Sequence, residues 1–192
     1  MNKRAVLLPT LVLIVSAVAL AAVFAYYPLT ITVLPIEPGV VFVAGSNAGQ
    51  PDIGTENQIQ VFIGDNKTSA SVTIHPTYQE NYYKDVLRIV NNDDNAMNVY
   101  IMLTSASPNL PADSIVKLFF YQGNTKVKEL DITTLTVNQP YSVGQIPVGG
   151  TWQIDFYVFI PEGTSITEVK YEAKLVYTPS EETPPPNPAI GR

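Results

Sequence analysis

The sequence predicts an all-β protein: an antiparallel two-sheet sandwich, of jelly-roll or immunoglobulin-like type, preceded by a hydrophobic N-terminal signal helix. Apolar and polar residues alternate with a period of two through most of the chain, which is typical of strands that bury one face. Pro, Gly and Asn residues divide this pattern into about eight to ten short strands, as in sandwiches. No segment after residue 25 has the period of a helix. The order of the strands in the sheets does not follow from the pattern.

The first 25 residues have the three parts of a secretory signal peptide. Lys3 and Arg4 precede an apolar run over residues 5–25, which ends in a small-x-small site for signal peptidase, Val23-Phe24-Ala25. Pro9 shortens the uninterrupted apolar stretch to a length typical of a signal core. We therefore expect cleavage after residue 25, which leaves Tyr26 at the start of a secreted chain.

Two other fates of this leader stay open. About 20 apolar residues can span a bilayer, so an uncut leader would anchor the chain in a membrane. A cut after Arg4 would resemble the processing of archaeal type IV pilins, in which the apolar helix becomes the core of the filament. Two features weigh against the pilin-type fate: residues 5–25 contain no acidic side chain, and Pro28 ends the helix early.

The segment that follows the leader, residues 26–39, predicts a strand and a linker. Leu29, Ile31 and Val33 alternate with threonines, and two prolines and a glycine in residues 35–39 separate them from the next β segment. A short apolar strand at a free terminus, behind a proline-bounded linker, is the construction by which one subunit completes the sheet of the next. Pairing of this strand inside its own domain is the alternative.

Residues 40–178 predict the sandwich domain. Residues 91–95, Asn-Asn-Asp-Asp-Asn, have a turn composition, because short polar side chains bond to their own backbone. Residues 179–192 contain Pro184-Pro185-Pro186 and Pro188 and predict an extended tail that cannot pair in a sheet. The predicted strands cover residues 40–43, 59–63, 70–74, 85–91, 98–104, 116–121, 127–132, 135–137, 151–160 and 169–177.

Composition narrows the classes of function. Removal of the leader takes Lys3 and Arg4 with it and changes the formal net charge from −6 to about −8, which disfavours nucleic acid and anionic membranes as partners. The chain has no cysteine, so a secreted form is stabilised by packing, strand pairing or assembly rather than by disulfides. Asn66 begins the one N-glycosylation sequon, Asn66-Lys67-Thr68.

Catalytic chemistry is almost absent from the sequence. His75 is the one histidine, and with no cysteine the ligand sets of blue copper and tetrahedral zinc sites are excluded. We interpret His75 as a solvated surface residue. Asp93, Asp94 and Asn95 are turn formers in our interpretation, and they are also weak candidates for a calcium site, since hard oxygen ligands cluster in such loops. We expect neither a cofactor nor an enzymatic activity.

Aromatic residues offer a further test of function. Trp152 lies at an inward position of the strongest predicted strand and is expected in the core. Tyr78, Tyr82 and Tyr83 fall in a stretch that we interpret as irregular, before residue 85. There they either pack a loop against the sandwich or stack on sugars, as in a lectin.

A family resemblance rests on four features in order: a signal peptide, an immediate apolar strand, the segment Asp-Val-Leu-Arg-Ile-Val-Asn-Asn (residues 85–92), and the late strand Gly-Gly-Thr-Trp-Gln-Ile-Asp-Phe (residues 149–156). In this order the chain resembles the TasA and camelysin group of secreted jelly-roll proteins, and above all their archaeal relatives, the bundling pilus subunits. The resemblance implies filaments held by donor-strand exchange and gathered into bundles in a biofilm matrix. By position, Leu29, Ile31 and Val33 would be the donor contacts. Camelysins are also described as proteases, but this sequence supplies no set of metal ligands.

The expected function is therefore a structural subunit of an extracellular filament, a secreted homopolymer at the cell surface. Its partners would be further copies of the chain and neighbouring filaments, with a membrane contact only through an uncut leader. The alternatives are a type IV pilin-like subunit with the N-terminal helix as filament core, and a membrane-anchored surface module that binds glycan or protein.

Overall fold

The structure is a computed structural model that describes residues 26–106, 109–165 and 167–186. The predicted leader, residues 1–25, lies outside the described residues. The chain divides into two compact units, Met1–Ile36 and Glu37–Arg192, and every strand of the described ranges belongs to the second. None of the described residues form a helix with the length and apolar character needed to cross a membrane. In chain order the strands are β1 (Val40–Ala44), β2 (Gln60–Ile63), β3 (Ala70–Thr73), β4 (Gln79–Asn91), β5 (Met97–Ser105), β6 (Ile115–Gln122), β7 (Thr125–Asp131), β8 (Pro140–Ile146), β9 (Thr151–Ile160) and β10 (Glu172–Thr178).

The strands form three antiparallel sheets. A five-stranded sheet has the order β1-β4-β9-β6-β7, a three-stranded sheet has the order β10-β5-β8, and β2 and β3 form a separate hairpin. Neighbouring strands of the two larger sheets pair antiparallel throughout. The predicted all-β, antiparallel class is confirmed, and the arrangement is consistent with a β-sandwich.

One hydrophobic core joins the two larger sheets. Trp152 and Phe120 are fully buried in it, with their ring centroids 6.3 Å apart and the ring planes at 71°, the edge-to-face arrangement that aromatic pairs favour. Each sheet supplies a set of buried side chains to the same cluster: Val40, Leu87, Ile89, Phe120, Leu130, Trp152 and Ile154 from the five-stranded sheet, and Met97, Val99, Ile101, Val143 and Ile146 from the three-stranded one.

Strand β9 is the middle strand of its sheet, and its period-two pattern is the clearest of the chain. Trp152, Ile154, Val158 and Ile160 are buried as predicted. The same alternation turns Tyr157 to the other face, where it is half-buried. The sequence was sufficient to predict this strand, because one continuous segment contributes four buried side chains.

Strand β8 was not predicted, and the strand predicted at residues 135–137 is wrong. Pro140, which has no N–H to donate, begins β8, and Gly144, with φ +146°, interrupts its pattern, so the sequence of this strand reads as a loop. Residues 135–137 instead belong to a turn in which Thr136 donates its N–H to the Tyr141 hydroxyl at 2.7 Å. Asn138 follows with a left-handed φ of 65°.

Strand β4 begins six residues earlier than the strand predicted from residue 85, and it contains a β-bulge. Its pairing with β9 shifts register between Tyr83 and Leu87. Tyr82 and Tyr83 therefore lie in the strand, not in an irregular stretch. Asn81, Tyr83 and Asp85 are buried at the same alternate positions as Leu87 and Ile89, but two of these three side chains are polar, so the sequence shows no apolar alternation before residue 86.

The Asn91 side chain, at the end of β4, stabilises the connection between the two sheets. It is fully buried, and its Nδ2 donates to the carbonyls of Asn95 at 2.8 Å, Pro147 at 3.1 Å and Ile146 at 3.3 Å. Its Oδ1 accepts the N–H of Asp93 at 3.0 Å. One amide side chain thus satisfies the β4–β5 turn and the end of β8, which are backbone groups that water does not reach.

We predict that the core depends on Trp152 chiefly through its volume. Trp152→Ala should lower the free energy of unfolding by about 3 to 5 kcal/mol, because it leaves a large cavity. Trp152→Phe should cost roughly half as much or less, since it keeps an aromatic ring and removes an Nε1 that has no hydrogen-bond partner in the described part of the chain. Urea unfolding followed by circular dichroism measures both; equal losses would show that the indole N–H is essential.

A second prediction concerns Asn91. Asn91→Ala should destabilise the protein by about 2 to 3 kcal/mol, because buried carbonyls lose their donor. Asn91→Asp, although closer in shape, should cost more at pH 7, since a carboxylate would face the three carbonyl oxygens that the amide now satisfies. A smaller loss for the aspartate variant at pH 7 would contradict the assigned donor role of Nδ2.

Candidate assembly site

The described N-terminal segment, residues 26–36, is strongly apolar and exposed. Leu29, Ile31 and Val33, the predicted donor contacts, are 82%, 75% and 79% exposed. Tyr26, Tyr27, Leu34 and Ile36 are exposed to a similar extent. No strand is assigned to any of residues 26–38. Contiguous exposed apolar runs of this size are typical of surfaces that bind a protein or a membrane.

The edges of the two larger sheets differ in how open they are. On β1, Phe42 donates its N–H to the carbonyl of Lys67 at 2.9 Å, so the turn of the β2–β3 hairpin occupies part of that edge. Strands β7 and β8 lie close together at Gly144: a Cβ added to this glycine would lie 3.2 Å from the Val127 side chain. In the ranges that the structure describes, no strand pairs with the outer side of β10 (Glu172–Thr178), which we call the β10 edge.

Several side chains that pack against the core are only half-buried. Leu175 of β10 is one of them. The others on outlying elements come from β1, the β2–β3 hairpin and the edge strands β7 and β8: Phe42, Val61, Ile63, Ala70, Val72, Val127 and Tyr141. The β2–β3 hairpin and β10 are therefore among the places where further apolar surface could be removed from water.

A second polar cluster, which the sequence did not predict, lies at the bulge of β4. Asp155 of β9 is 2% exposed and accepts the N–H of Asp85 at 2.7 Å, the Tyr82 hydroxyl at 2.5 Å and Gln153 Nε2 at 2.6 Å. Asp85 is 5% exposed and has a left-handed φ of 46°. The carboxylate of Asp155 replaces the backbone acceptor that the bulge removes from the ladder.

The carboxylate of Asp85 has its own partners. Arg88 donates to it through Nε at 2.7 Å and through a second nitrogen, and Ser46 donates its hydroxyl at 2.6 Å and its N–H at 3.2 Å. Gly45 is required here, because an added Cβ would lie only 2.0 Å from the carbonyl oxygen of Asp85. The hydrogen bonds from Arg88, and then those from Ser46, outweigh burial and lower the pKa of Asp85 to about 2.

The phenol of Tyr82 is affected by the same cluster. Burial and the hydrogen bond to Asp155 raise the pKa of Tyr82 well above its ordinary value. The hydroxyl therefore stays a donor at all physiological pH values and holds its ring beside Asp155. This arrangement fixes side chains; it brings together no nucleophile and base.

The candidate calcium residues lie in the β4–β5 turn. Asp93 Oδ1 accepts both the N–H and the side-chain Nδ2 of Asn95, at 3.0 and 3.1 Å, and Asp94 is exposed. Among the described residues no group of three or more His, Asp or Glu side chains is placed to hold a metal ion. The bonds of Asp93 are those of a turn former.

The His75 side chain is 35% exposed at the surface, and it has a buried partner that the sequence did not predict. Its Nδ1 lies 3.0 Å from Asp52 Oδ2, the Asp52 side chain is 1% exposed, and the His75 N–H donates to the same oxygen at 2.7 Å. The pair ties the end of β3 to the loop before β2. It borders an open cleft of about 640 Å³ that Asp52, Asn81 and Tyr83 help to line. Burial and the Asp52 carboxylate raise the pKa of Tyr83, so this phenol too stays protonated.

The predicted glycosylation site lies in an accessible position. Asn66 is exposed in the turn between β2 and β3, so an oligosaccharide could be attached there without a change in the fold. Its modification stays a prediction.

No protein-family model matches the chain, and no curated protein sequence matches it at a significant level. The resemblance to the TasA and camelysin group therefore stays a prediction.

We predict that the Asp85 carboxylate contributes to stability with a distinct pH dependence. Its pKa of about 2 lies below the ordinary value of 3.8, so the contribution is complete above pH 4 and is lost as the pH falls from about 4 to about 2. Asp85→Asn should lower the free energy of unfolding at pH 7 by about 2 kcal/mol and flatten the acid limb of the stability curve.

Urea unfolding at a series of pH values between 2 and 7 measures this effect. The matched control is Asp65→Asn, an exposed residue of the β2–β3 turn, which should leave both the stability and its acid dependence nearly unchanged. An unaltered acid limb in Asp85→Asn would show that the Arg88 and Ser46 bonds contribute nothing.

Proposed function

We propose that this protein is a structural subunit of an extracellular filament that polymerises by donor-strand complementation. In this proposal the fold is a jelly-roll type of sandwich, as in the TasA and camelysin group, the leader is removed, and residues 29–34 of one secreted subunit pair with a sheet edge of the next. The exposed apolar segment, residues 26–36, is the observation that carries the proposal.

The alternation within this segment suits a half-buried strand. Leu29, Ile31 and Val33 would point to one face and Thr30 and Thr32 to the other. Burial of each of the three apolar side chains contributes about 1.5 to 3 kcal/mol. Ladder hydrogen bonds to an edge strand would satisfy the backbone of the segment, so that both the side chains and the main chain gain partners on assembly.

The β10 edge is the acceptor that we propose. It belongs to a sheet of three strands that faces one of five, and an added strand would make the two sheets more nearly equal. The half-buried Leu175 and the apolar side chains of the β2–β3 hairpin would pack against the donor. Pairing at β10 would also cover an edge that invites uncontrolled aggregation if it is left open.

We predict that one charge in the donor face abolishes polymerisation. Ile31→Asp should give a secreted, folded and monomeric protein, because a carboxylate cannot enter an apolar contact without a partner. Negative-stain electron microscopy of purified material reports the filaments, and size-exclusion chromatography with circular dichroism reports the folded monomer.

Thr32→Asp is the matched control, since it places the same charge on the opposite face of the same segment, where it should be tolerated. Deletion of residues 26–34 should act like Ile31→Asp. Filaments of normal appearance from both the deletion and Ile31→Asp would overturn the proposal.

The mature N-terminus, measured by mass spectrometry on the same filaments, separates the alternatives. Tyr26 agrees with strand donation, Ala5 would indicate a type IV pilin-like subunit with a helical core, and an uncut Met1 would indicate a membrane-anchored surface module.

A further inference from the structure

The outer side of the three-stranded sheet holds two buried side chains that the core does not use. Along β5 the side chains of Met97, Val99 and Ile101 belong to the core between the sheets. Tyr100 and Met102 alternate with them and therefore lie on the opposite side of the sheet. They are nonetheless only 7% and 3% exposed. Another part of the chain must cover this side of β5.

The segment that follows β10 lies over this side of β5. Thr178, the last residue of β10, is opposite Asn98 of β5 in the register of the sheet. Two residues later the Ser180 carbonyl accepts a hydrogen bond from Asn98 Nδ2 at 2.8 Å. After two more residues the Glu182 carbonyl lies 3.4 Å from the Tyr100 hydroxyl. The chain has therefore turned back, and it runs along β5 in the direction opposite to that of β10.

The spacing of these contacts places Pro184 beside Met102. Residue 180 is bonded to residue 98 and residue 182 lies at residue 100, so each step of two residues in the tail matches a step of two in β5. An extended proline-rich chain rises about 3.1 Å per residue and a strand about 3.3 Å, so the match continues to residues 184 and 102. Within residues 181–186, Pro184 is half-buried and the others are exposed. A contact between Pro184 and Met102 accounts for the burial of both.

The backbone of this segment is satisfied without a strand partner. Ser180 donates its N–H to Thr178 Oγ1 at 3.1 Å, and Glu182 donates its N–H to Ser180 Oγ at 3.0 Å. The carbonyls of the same two residues face the donors on β5. From Pro184 onward three consecutive prolines have no N–H that needs an acceptor. Residues 180–184, which we call the strap, can therefore lie in a fixed position on the sheet.

Strand β10 has few other contacts that hold it in the sheet. Within the described part of the chain it pairs with β5 alone, and none of its side chains is fully buried. A strand with one partner and little buried surface is at the low end of local stability. The strap continues directly from the end of β10 and is bonded to the strand with which β10 pairs. It therefore adds a second attachment between β10 and β5.

We propose that the strap is an intramolecular device that locks β10 into the three-stranded sheet. While it is in place, Tyr100 and Met102 are shielded from water and β10 stays paired. When it is released, this side of β5 is open to solvent and β10 frays. The strap lies on the face of β5, so it leaves the β10 edge free. Its consequence for assembly rests on the proposed function: a subunit without the strap offers a donor segment no ordered edge.

Oxidation of methionine by hydrogen peroxide, followed by mass spectrometry of peptides, tests the cover. Met102 lies under the strap, and Met97 of the same strand lies in the core and serves as the internal reference. In the full-length chain, Pro184→Gly should make the oxidation of Met102 about fivefold faster and leave that of Met97 unchanged, because it removes the ring that covers Met102. The matched control is Pro186→Gly, at an exposed proline of the same run, which should change neither rate.

A second pair of full-length variants tests the attachment of β10. Asn98→Ala removes the bond to Ser180, and combined with Pro184→Gly it should make hydrogen exchange of the amides of residues 172–178 about fivefold faster. Gln145→Ala is the control, since this exposed amide lies opposite Asn98 on β8 and on the same side of the sheet. It should leave the exchange of β10 unchanged.

Two results would overturn the proposal. One is an oxidation rate of Met102 that neither Pro184→Gly nor the double variant changes. The other is an equal rise at Met97 and Met102, because the tail would then support the whole fold. Electron microscopy of the double variant separates the strap from strand donation. Faster exchange in β10 with normal filaments would keep the strap and reject β10 as the acceptor, whereas lost filaments without any change at Met102 or β10 would reject the strap alone.

Discussion

The fold depends on one hydrogen bond, from the N–H of Asp85 to the buried carboxylate of Asp155. At this point β4 bulges away from its register with β9 and its backbone takes a left-handed conformation, so the ladder has no acceptor to offer. The side chain of β9 supplies it. Because that bond keeps β4 continuous, the strand can pair with β9 before the bulge and with both β9 and β1 after it. The Asp85 carboxylate, in turn, accepts hydrogen bonds from Ser46 and fixes the loop around it.

The strands differ in how well the sequence alone could predict them. Strand β9 was predictable because its buried residues recur without interruption. Strand β8 was not, since Pro140 and Gly144 interrupt its apolar alternation, and the first half of β4 was not, since its buried positions include the polar residues Asn81 and Asp85. Asp155 was read only as an outward residue of a strand: a lone acidic side chain between aromatic neighbours gives no sign that it is buried, because its partners come from residues 70 and 73 positions away.

The proposed donor segment was easier to predict than the polar cluster of Asp85 and Asp155. Leu29, Ile31 and Val33 stand out because nothing in their own segment gives them a partner, and the tail stands out because proline cannot enter a sheet. The acceptor proposed for the donor segment could not be predicted from sequence, since an open edge is a property of strand order. The order β10-β5-β8 decides that β10 is an edge.

The open edge of β10, as the described residues show it, has a consequence for any assembly built on it. A subunit that offers one acceptor edge and one donor strand forms a polar row, whose two ends are chemically different. The last subunit at one end has an unfilled acceptor edge, and the last subunit at the other end has an unpaired donor strand. Such a row can grow and be capped independently at its two ends. A cell could therefore set the length of the row by controlling one terminus, without touching the subunits in between.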